Sequence, residues 1–411
     1  MLGFPSFSFC RASARLALAL IVLATGALGQ SQFQILYGFT GGNDGGGVWD
    51  SVVFDKQGNI YGTTSGGGAY GDGTVFELSP NSDGTWAESV LHSFQPSTSE
   101  AGVPTGNLVF DIAGNLYGTA PFGGKHGIGD VFELSPTGSG TWSENVIYAF
   151  EPYRSREGAF PYAGLVIDQQ GNLYGTTPYD VYELTPTTSG WTETVLHVFC
   201  TKPACKDGSL ANAGVILGPD GSLYGVTEGG GAFNAGTTFE LRDTSSGWKE
   251  SFPHSFGGFP NDGGGGVLGD LAMDSSGNLY GATIGGGGTD SLCTGGCGTV
   301  YKLTPGSNGH WTETILYSLQ GGAGGFRPTS GVTLDSSGNV FGTTIAGGDA
   351  LCSCGVVYKL SSNGTYSVLH TFVGTDGAQP DANLVLYNGD LYGTTATGGP
   401  GGAGVVFEIT P

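Results

Sequence analysis

Basic and aromatic side chains gather in one stretch of this sequence, between residues 153 and 206. Of the thirteen Lys and Arg residues in the chain, Arg11 and Arg15 lie near the N-terminus, and four of the other eleven fall in this stretch. A guanidinium group can hold a carboxylate through two parallel hydrogen bonds. The alternatives are ion pairs with nearby acids, or simple loop variation. The stretch predicts a groove for an acidic sugar or a carboxylate-bearing chain, formed by Arg154, Arg156, Lys202, Lys206 and Tyr179.

A second pattern is an acidic residue followed by glycine or alanine, which recurs in the segments between repeats. Because Ca²⁺ takes six to eight oxygen ligands, a partial ring of such carboxylates could hold this ion. The alternative is that the acids shape their loops and remain solvated. The residues are Asp44, Glu100, Glu157, Asp207, Asp262 and Asp376.

Histidine or tyrosine also occupies one position in every repeat. Packed sheets lie ~10 Å apart, whereas metal ligands lie within ~2 Å of their ion, so residues on separate sheets cannot share a metal. We interpret them as half-buried structural side chains. No catalytic residue is predicted, because a catalytic carboxylate pair needs two different environments in one pocket, and the acids here repeat regularly. The His/Tyr positions are Tyr37, His92, Tyr148, His197, His254, Tyr317 and His370.

Six cysteines follow residue 199, in three close pairs. An even number in loops is typical of disulfides in an oxidising compartment, with a metal site as the alternative. The segment Cys352-Ser353-Cys354 looks too short for an unstrained bridge. A cysteine of this pair could instead bond across repeats to Cys293 or Cys297, which leaves the connectivity open, and Cys200 with Cys205 is the remaining close pair.

These side chains are carried by an internal repeat, which is the main signal in the sequence. The motif Gly-Asn-Leu-Tyr-Gly-Thr-Thr recurs with variations at intervals of 50 (Tyr174 to Tyr224) to 61 residues (Tyr280 to Phe341). Each repeat contains four short runs rich in β-branched and aromatic residues, bounded by Gly, Pro, Asn and Ser, which predicts four strands. The aromatic of the motif is Tyr61, Tyr117, Tyr174, Tyr224, Tyr280, Phe341 and Tyr392.

Seven four-stranded repeats predict an all-β, seven-bladed β-propeller. Residues 33–39 match the fourth strand and the last repeat lacks one, so the N-terminal strand should complete the last blade and leave no open edge. An open solenoid is the alternative. The long connections should all lie on one face, which is the candidate functional face. The third repeat departs from the others, because its second connection is only Pro178-Tyr179-Asp180.

The N-terminal segment, residues 1–29, is predicted to be a signal peptide, with Arg11 and Arg15 before a short apolar run and small residues at the cleavage site. Residues 30–411 would then be one domain, without a membrane span and monomeric. A transmembrane anchor is the alternative, although the apolar run is shorter than the ~18 residues that a span needs. The net charge of −22 argues against nucleic acid as a partner.

The motifs Gly-Asn-Leu-Tyr-Gly-Thr-Thr, Val-Phe-Glu-Leu-Ser-Pro and Val-Leu-His-Ser-Phe together resemble the GloVer tandem-repeat family of exported bacterial proteins. The resemblance covers nearly all of the chain after residue 29. It implies a secreted or surface location and implies no activity. Many members carry a C-terminal anchor, and its lack here favours a secreted form.

Three functions fit these observations. We expect a non-enzymatic propeller that binds an extracellular glycan or protein through its long-loop face. A glycoside hydrolase or polysaccharide lyase on the same scaffold is one alternative, and a structural surface or matrix protein is another. The fold does not decide among them.

Overall fold

The computed structural model describes residues 31–95, 100–138, 140–151, 158–258, 262–264 and 266–411. In these ranges the chain forms seven four-stranded antiparallel sheets, one for each repeat, which confirms the predicted propeller. The described residues contain no α-helix, and their only helical turns are three 3₁₀ turns, Pro203–Cys205, Ser307–Gly309 and Gly322–Gly324.

The N-terminal strand and the first three blades have the following bounds. β1 is Gln32–Gly38. Blade one contains β2 (Val53–Phe54), β3 (Ile60–Thr64), β4 (Thr74–Pro80) and β5 (Trp86–Ser93). A small ladder pairs β6 (Ala101–Gly102) with β9 (Phe122–Gly123). Blade two contains β7 (Val109–Phe110), β8 (Leu116–Ala120), β10 (Asp130–Pro136) and β11 (Trp142–Ala149), and blade three contains β12 (Val166–Ile167), β13 (Leu173–Thr176), β14 (Asp180–Thr187) and β15 (Gly190–Val198).

The other four blades repeat the pattern. Blade four contains β16 (Ile216–Leu217), β17 (Leu223–Thr227), β18 (Thr237–Arg242) and β19 (Lys249–Ser255). Blade five contains β20 (Ala272–Met273), β21 (Leu279–Thr283), β22 (Thr299–Pro305) and β23 (Trp311–Ser318). Blade six contains β24 (Thr333–Leu334), β25 (Val340–Thr344), β26 (Val356–Leu360) and β27 (Tyr366–Thr371). Blade seven contains β28 (Val385–Tyr387), β29 (Asp390–Thr395) and β30 (Val405–Thr410).

Blade seven is completed by the N-terminal strand, as the sequence predicts. β1 pairs antiparallel with β30, from Gln32 opposite Thr410 to Gly38 opposite Val405. The outer strand of the last blade therefore comes from the opposite end of the chain, and the pairing covers an edge that β30 would otherwise expose.

The glycine in the middle of each second strand is explained by the aromatic ring beside it. In blade one, a Cβ on Gly62 would lie 2.6 Å from the Cζ of Phe76, which is buried in the third strand. The same relation holds in blade four, where a Cβ on Gly225 would lie 2.4 Å from the Cζ of Phe239. The motif Tyr-Gly-Thr therefore keeps glycine so that a large ring can cross the strand at contact distance.

The hydrophobic core is divided among the interfaces between blades. One buried cluster joins blades seven and one through Phe39, Phe76 and Tyr392. Equivalent clusters join each following pair of blades around the ring. Because each blade buries apolar side chains against both neighbours, the blades stabilise one another by the hydrophobic effect.

Each outer strand carries a β-bulge at the same place. In blade one, Val75 pairs with His92 and Phe76 with Val90, so Leu91 is the additional residue. Side chains four residues apart, such as Glu88 and His92, would share a face of a regular strand. The extra residue puts them on opposite faces. Each outer strand therefore presents its histidine or tyrosine to one neighbouring blade, and the residue four positions earlier, a glutamate in five of the seven blades, to the other.

The two kinds of long connection lie together on one face, as expected. In blades one, two and four to seven, the loop before the first strand pairs with the loop after the second strand of the same blade, for example Gly46 with Gly66 and Ser209 with Gly229. This long-loop face also carries all three disulfides, whose half-cystines belong to the long loops of blades four, five and six.

The alternative bond from Cys352 or Cys354 to another repeat does not form. Cys352 bonds to Cys354, and Cys293 bonds to Cys297. Between the first two, Ser353 adopts a positive φ of 52°, and the Cα atoms of the cysteines lie 5.2 Å apart, within the normal range for a disulfide. The third bond, Cys200 to Cys205, is as predicted.

Candidate functional site

The five described acids between repeats lie in five separate blade interfaces, and the described interface of blades five and six has none. Asp44 accepts a hydrogen bond from the Thr40 backbone N–H at 2.8 Å, and Asp376 accepts one from the Val373 N–H at 2.8 Å. Each also approaches the histidine or tyrosine of the preceding outer strand, as in His370 to Asp376 at 2.9 Å. These contacts hold the carboxylates in separate interfaces, so the described acids do not gather around one calcium ion. Glu157 lies outside the described residues.

The histidine and tyrosine positions are half-buried, as predicted, and each meets the next blade. Tyr148 donates a hydrogen bond to Glu193 at 2.6 Å, and His197 Nε2 lies 2.9 Å from Glu250 Oε1. Two interfaces replace the glutamate with an aromatic ring. There Tyr317 stacks on Tyr366, with ring centroids 4.3 Å apart, and His370 stacks on Phe33.

Within the described residues, one interface brings three metal-ligating groups within 4.8 Å of one another: His254, Asp262 and Glu313. Burial, and then the neighbouring Asp262, raise the pKa of Glu313 to about 7, against the lowering effect of His254. The pKa of Asp262 is lowered by hydrogen bonds from His254 and the Gly257 N–H, despite its burial. A proton in this cluster is therefore favoured on Glu313 over Asp262. Because tyrosine replaces histidine at equivalent interfaces, we interpret the cluster as part of the blade contact.

The groove predicted at blade three is only partly described, because Arg154 and Arg156 lie outside the described residues. Lys202 Nζ lies 3.0 Å from Glu250 Oε2 and 4.8 Å from the centre of the Phe252 ring, so its charge is paired within the interface of blades three and four. Lys206 is exposed beside the turn that ends at Cys205. Tyr179 is 44% exposed in the short connection.

A cavity at the ring axis, which is not expected from the sequence, brings all seven blades together. Each first strand is preceded by a buried aliphatic residue that we call its anchor: Val52, Leu108, Leu165, Val215, Leu271, Val332 and Leu384. The third residue before each anchor lines a cavity of about 200 Å³ on the long-loop face, which we call the mouth. These mouth residues are Trp49, Thr105, Tyr162, Asn212, Leu268, Thr329 and Asp381.

The floor of the mouth is a polar belt formed by the residues that directly precede the anchors. Asp270 accepts hydrogen bonds from the Gly214 N–H at 2.7 Å and from Asn383 Nδ2 at 2.8 Å. Asn383 in turn accepts one from the Gly331 N–H. A Cβ on Gly164 would lie only 2.0 Å from Asn107 Oδ1, so glycine lets the belt close tightly. Below it lies a second cavity of about 270 Å³.

Three aspartates give the mouth its electrostatic character. Burial, and then the carboxylate of Asp270, raise the pKa of Asp50 to about 8, although the Ser51 N–H and hydroxyl donate to it. Burial also raises the pKa of Asp270. Burial raises the pKa of Asp381 to about 6, against the lowering effects of Thr329 and Arg327. The mouth can therefore offer both protonated and ionised carboxyls at neutral pH.

The polar groups of the mouth stand beside exposed aromatic rings. Trp49 is 40% exposed, and its indole N–H donates to Ser65 Oγ at 3.0 Å. Tyr162 lies beside Phe122, with ring centroids 5.8 Å apart. Asn212 donates from Nδ2 to Glu228 at 3.1 Å, while its Oδ1 is buried without a partner among the described residues. The sequence does contain a signal for the mouth: the third residue before each anchor varies in chemistry, while the anchor itself is always aliphatic.

This arrangement defines a seven-bladed propeller with a polar and aromatic cavity at its axis. The chain belongs to the Gloeobacter/Verrucomicrobia repeat family, whose model matches residues 25–181 and 287–411. This is the family that the repeat motif resembles. The described residues contain no helix that is long and apolar enough to cross a membrane.

No curated protein matches the chain. Among solved structures, a luciferin-regenerating enzyme is 14% identical, with a TM-score of 0.45 over 76% of this chain and 92% of its own. A gluconolactonase from Xanthomonas campestris is 15% identical, with a TM-score of 0.41 over 78% and 88%. A protein described as a gluconolactonase by inference is 15% identical, with a TM-score of 0.39 over 68% and 83%. At these values the resemblance says nothing of this chain's activity.

Proposed function

We propose that this protein binds an extracellular glycan in the mouth of its central channel, on the long-loop face, without chemical turnover. The observation that carries the proposal is the convergence of aromatic rings with carboxyl and amide side chains around one axial cavity. Trp49 and Tyr162 supply the rings, and Asp50, Asn212 and Asp381 supply the polar groups.

The chemistry of a sugar suits this lining. Aromatic rings combine apolar contact area with a polar edge, and the C–H face of a pyranose can pack on them. Carboxyl and amide oxygens accept hydrogen bonds from hydroxyl groups, and amide and protonated carboxyl groups donate them. The cavity of about 200 Å³ is smaller than the ~300–1,000 Å³ of pockets for drug-sized ligands. It has room for about one sugar unit, with the rest of a chain outside.

Charge favours a neutral glycan over an anionic one. The chain carries a net charge of −22, and three aspartates surround the mouth with Arg327 nearby. A uronic acid or sulfated sugar would approach against this potential. The disulfides of the long-loop face fit an oxidising compartment, so we place the encounter outside the cytoplasm of a bacterium, with the protein secreted or at the cell surface.

Calorimetric titration of the purified protein with neutral and acidic polysaccharides would test the proposal. We expect saturable binding to a neutral glycan that Trp49→Ala weakens. Tyr70→Ala is the matched control, because Tyr70 is an exposed aromatic of a long loop of blade one and is not among the mouth residues. Equal loss in both variants, or no binding of any glycan by the wild type, would refute the proposal and favour a protein partner or a structural role.

The groove predicted at blade three provides the competing location. If acidic glycans bind better than neutral ones, and Lys202→Ala combined with Lys206→Ala removes that binding, the ligand occupies blade three and not the mouth. Arg154→Ala with Arg156→Ala would extend this comparison to the basic residues outside the described ranges.

One observation supports hydrolysis as a second candidate. A carboxyl whose pKa is raised toward neutral pH, as burial and then Asp270 raise that of Asp50, is typical of a general acid paired with a second carboxylate. Incubation with the glycans that bind, followed by assay of new reducing ends, tests this candidate. Product formation that Asp50→Asn abolishes would establish an enzyme, and binding without product would leave the non-enzymatic proposal standing.

A further inference from the structure

A second ring of residues surrounds the mouth and shares an unusual backbone conformation. The fifth residue before every anchor has a positive φ, in the left-handed region that favours glycine. Only two of the seven are glycine, Gly47 at 72° and Gly266 at 109°. The other five, which we call the rim residues, have φ between 56° and 59°: Val103, Phe160, Leu210, Arg327 and Gln379.

The backbone of this position has a structural task that needs no side chain. The N–H of Leu210 donates to Pro178 O in the preceding blade, and the Leu210 carbonyl accepts from the Glu228 N–H of its own blade. The same two contacts occur at Gly47, whose N–H donates to Ala403 O and whose carbonyl accepts from the Ser65 N–H. Glycine therefore makes both of these backbone hydrogen bonds as well as a larger residue does.

A side chain in this conformation is unfavourable. The left-handed region costs a residue other than glycine roughly 1–2 kcal/mol, and a β-branched or bulky residue there is an outlier. Strained residues of this kind cluster at ligand-binding sites. Glycine occupies this position in two blades, yet the other five blades carry a strained larger residue there. This points to a role of the side chains themselves.

The rim side chains extend beside the mouth residues. The ring of Phe160 is nearly parallel to that of Tyr162, with centroids 6.3 Å apart, and lies 6.0 Å from Phe122. In blade one, a Cβ on Gly47 would lie 3.3 Å from the indole nitrogen of Trp49. Arg327 is close enough to Asp381 of the next blade to lower its pKa.

The rim has two chemically different arcs. Blades two, three and four contribute apolar side chains, of which Leu210 is 43% exposed. Blades six and seven contribute the exposed polar residues Arg327 and Gln379. Glycine separates the arcs at blades one and five. A ligand at the mouth therefore meets an apolar surface on one side and hydrogen-bond donors on the other.

We propose that the rim residues are the specificity-determining contacts of the glycan site, held in strained conformations because their side chains touch the ligand. This inference rests on the proposed function. The apolar arc packs against the C–H faces of sugar rings, and Arg327 and Gln379 donate hydrogen bonds to hydroxyl oxygens. The ligand class is a neutral oligosaccharide longer than the single unit that the mouth holds.

The test replaces the three exposed rim residues by glycine, singly and together: Leu210→Gly, Arg327→Gly and Gln379→Gly. Relief of strain and the greater freedom of glycine in the unfolded chain act in opposite directions and are each about 1 kcal/mol. We therefore expect melting temperatures within a few degrees of the wild type. Binding of a long neutral oligosaccharide should weaken at least ~5-fold for each variant, as for an interface residue that contributes measurably to binding.

Asn388→Gly is the matched control. Asn388 also has a positive φ, 54°, but lies in the turn between β28 and β29, away from the long-loop face. It should change the melting temperature as the rim variants do and leave binding unchanged. If the rim variants bind like the wild type while Trp49→Ala does not, the rim proposal fails and the mouth remains. If the wild type binds no glycan, both proposals fail.

Discussion

The aromatic ring of Phe33 stacks on the imidazole ring of His370, with centroids 3.7 Å apart and planes inclined by 3°. Phe33 belongs to the strand that completes blade seven, and His370 to the outer strand of blade six. The N-terminal strand pairs with β30 in blade seven, and through this contact it also packs against blade six. Five other interfaces place a glutamate where Phe33 stands: Glu88, Glu144, Glu193, Glu250 and Glu313.

Phe33→Ala should weaken ring closure. The substitution removes the stacked ring and its edge contact with Phe372, which together should lower the free energy of unfolding by ~1–3 kcal/mol. Gln34→Ala, at an exposed position of the same strand, is the control and should have little effect. Urea unfolding of both variants measures the difference. Equal stabilities would mean that pairing of β1 with β30 alone closes the ring.

Glu88→Gln should change how stability depends on pH. Burial, and then Asp44, raise the pKa of Glu88 to about 7, above the value of a free glutamate. Between the pKa of a free glutamate and this raised pKa, the folded state binds more protons than the unfolded state. The stability that protonated Glu88 contributes to the wild type is therefore lost as the pH rises through this interval. Glutamine removes the effect. We expect the variant to gain stability relative to the wild type from pH 4 to pH 8.

Unfolding curves at pH 4 and pH 8 measure this gain, and the pH 4 pair is the internal control because Glu88 is then mostly protonated in both states. A stability difference that is constant with pH, or that shifts in favour of the wild type at pH 8, would contradict the assignment of a raised pKa to Glu88.

Gly225→Ala should strongly destabilise blade four. The new methyl group would lie 2.4 Å from the ring of Phe239, so either the ring or the strand must move. Overpacking of this kind typically costs ~1–3 kcal/mol. Gly295→Ala is the matched control, since a Cβ there meets nothing within 4 Å. Thermal unfolding should separate the two variants, and similar melting temperatures would show that Phe239 can shift without cost.

Asp270→Asn should alter the ionisation of Asp50. The charge on Asp270 contributes to the raised pKa of Asp50, so its removal should lower that pKa from about 8. The variant should also lose stability, because Gly214 N–H and Asn383 Nδ2 both donate to Asp270 and an amide has one acceptor oxygen. Titration of the Asp50 carboxyl by NMR measures the first effect. Asp381→Asn is the control and should leave the pKa of Asp50 unchanged.

The sequence by itself determined the number of blades, their four strands, the closing role of the N-terminal strand and the long-loop face. Each of these follows from local patterns: strand periodicity, turn residues and a motif repeated at similar spacing. It also predicted that the His and Tyr positions are half-buried, because they recur with the pattern.

The tertiary structure decided which residues meet. The bulge at Leu91 reverses the face of His92, so the His/Tyr position meets a glutamate of the next blade, which the pattern of one strand cannot reveal. The pairing of Cys352 with Cys354 depended on the backbone of Ser353. The mouth arose because closure of the ring brings seven separate segments to one axis, and the pattern of a single repeat does not show which of its residues face that axis.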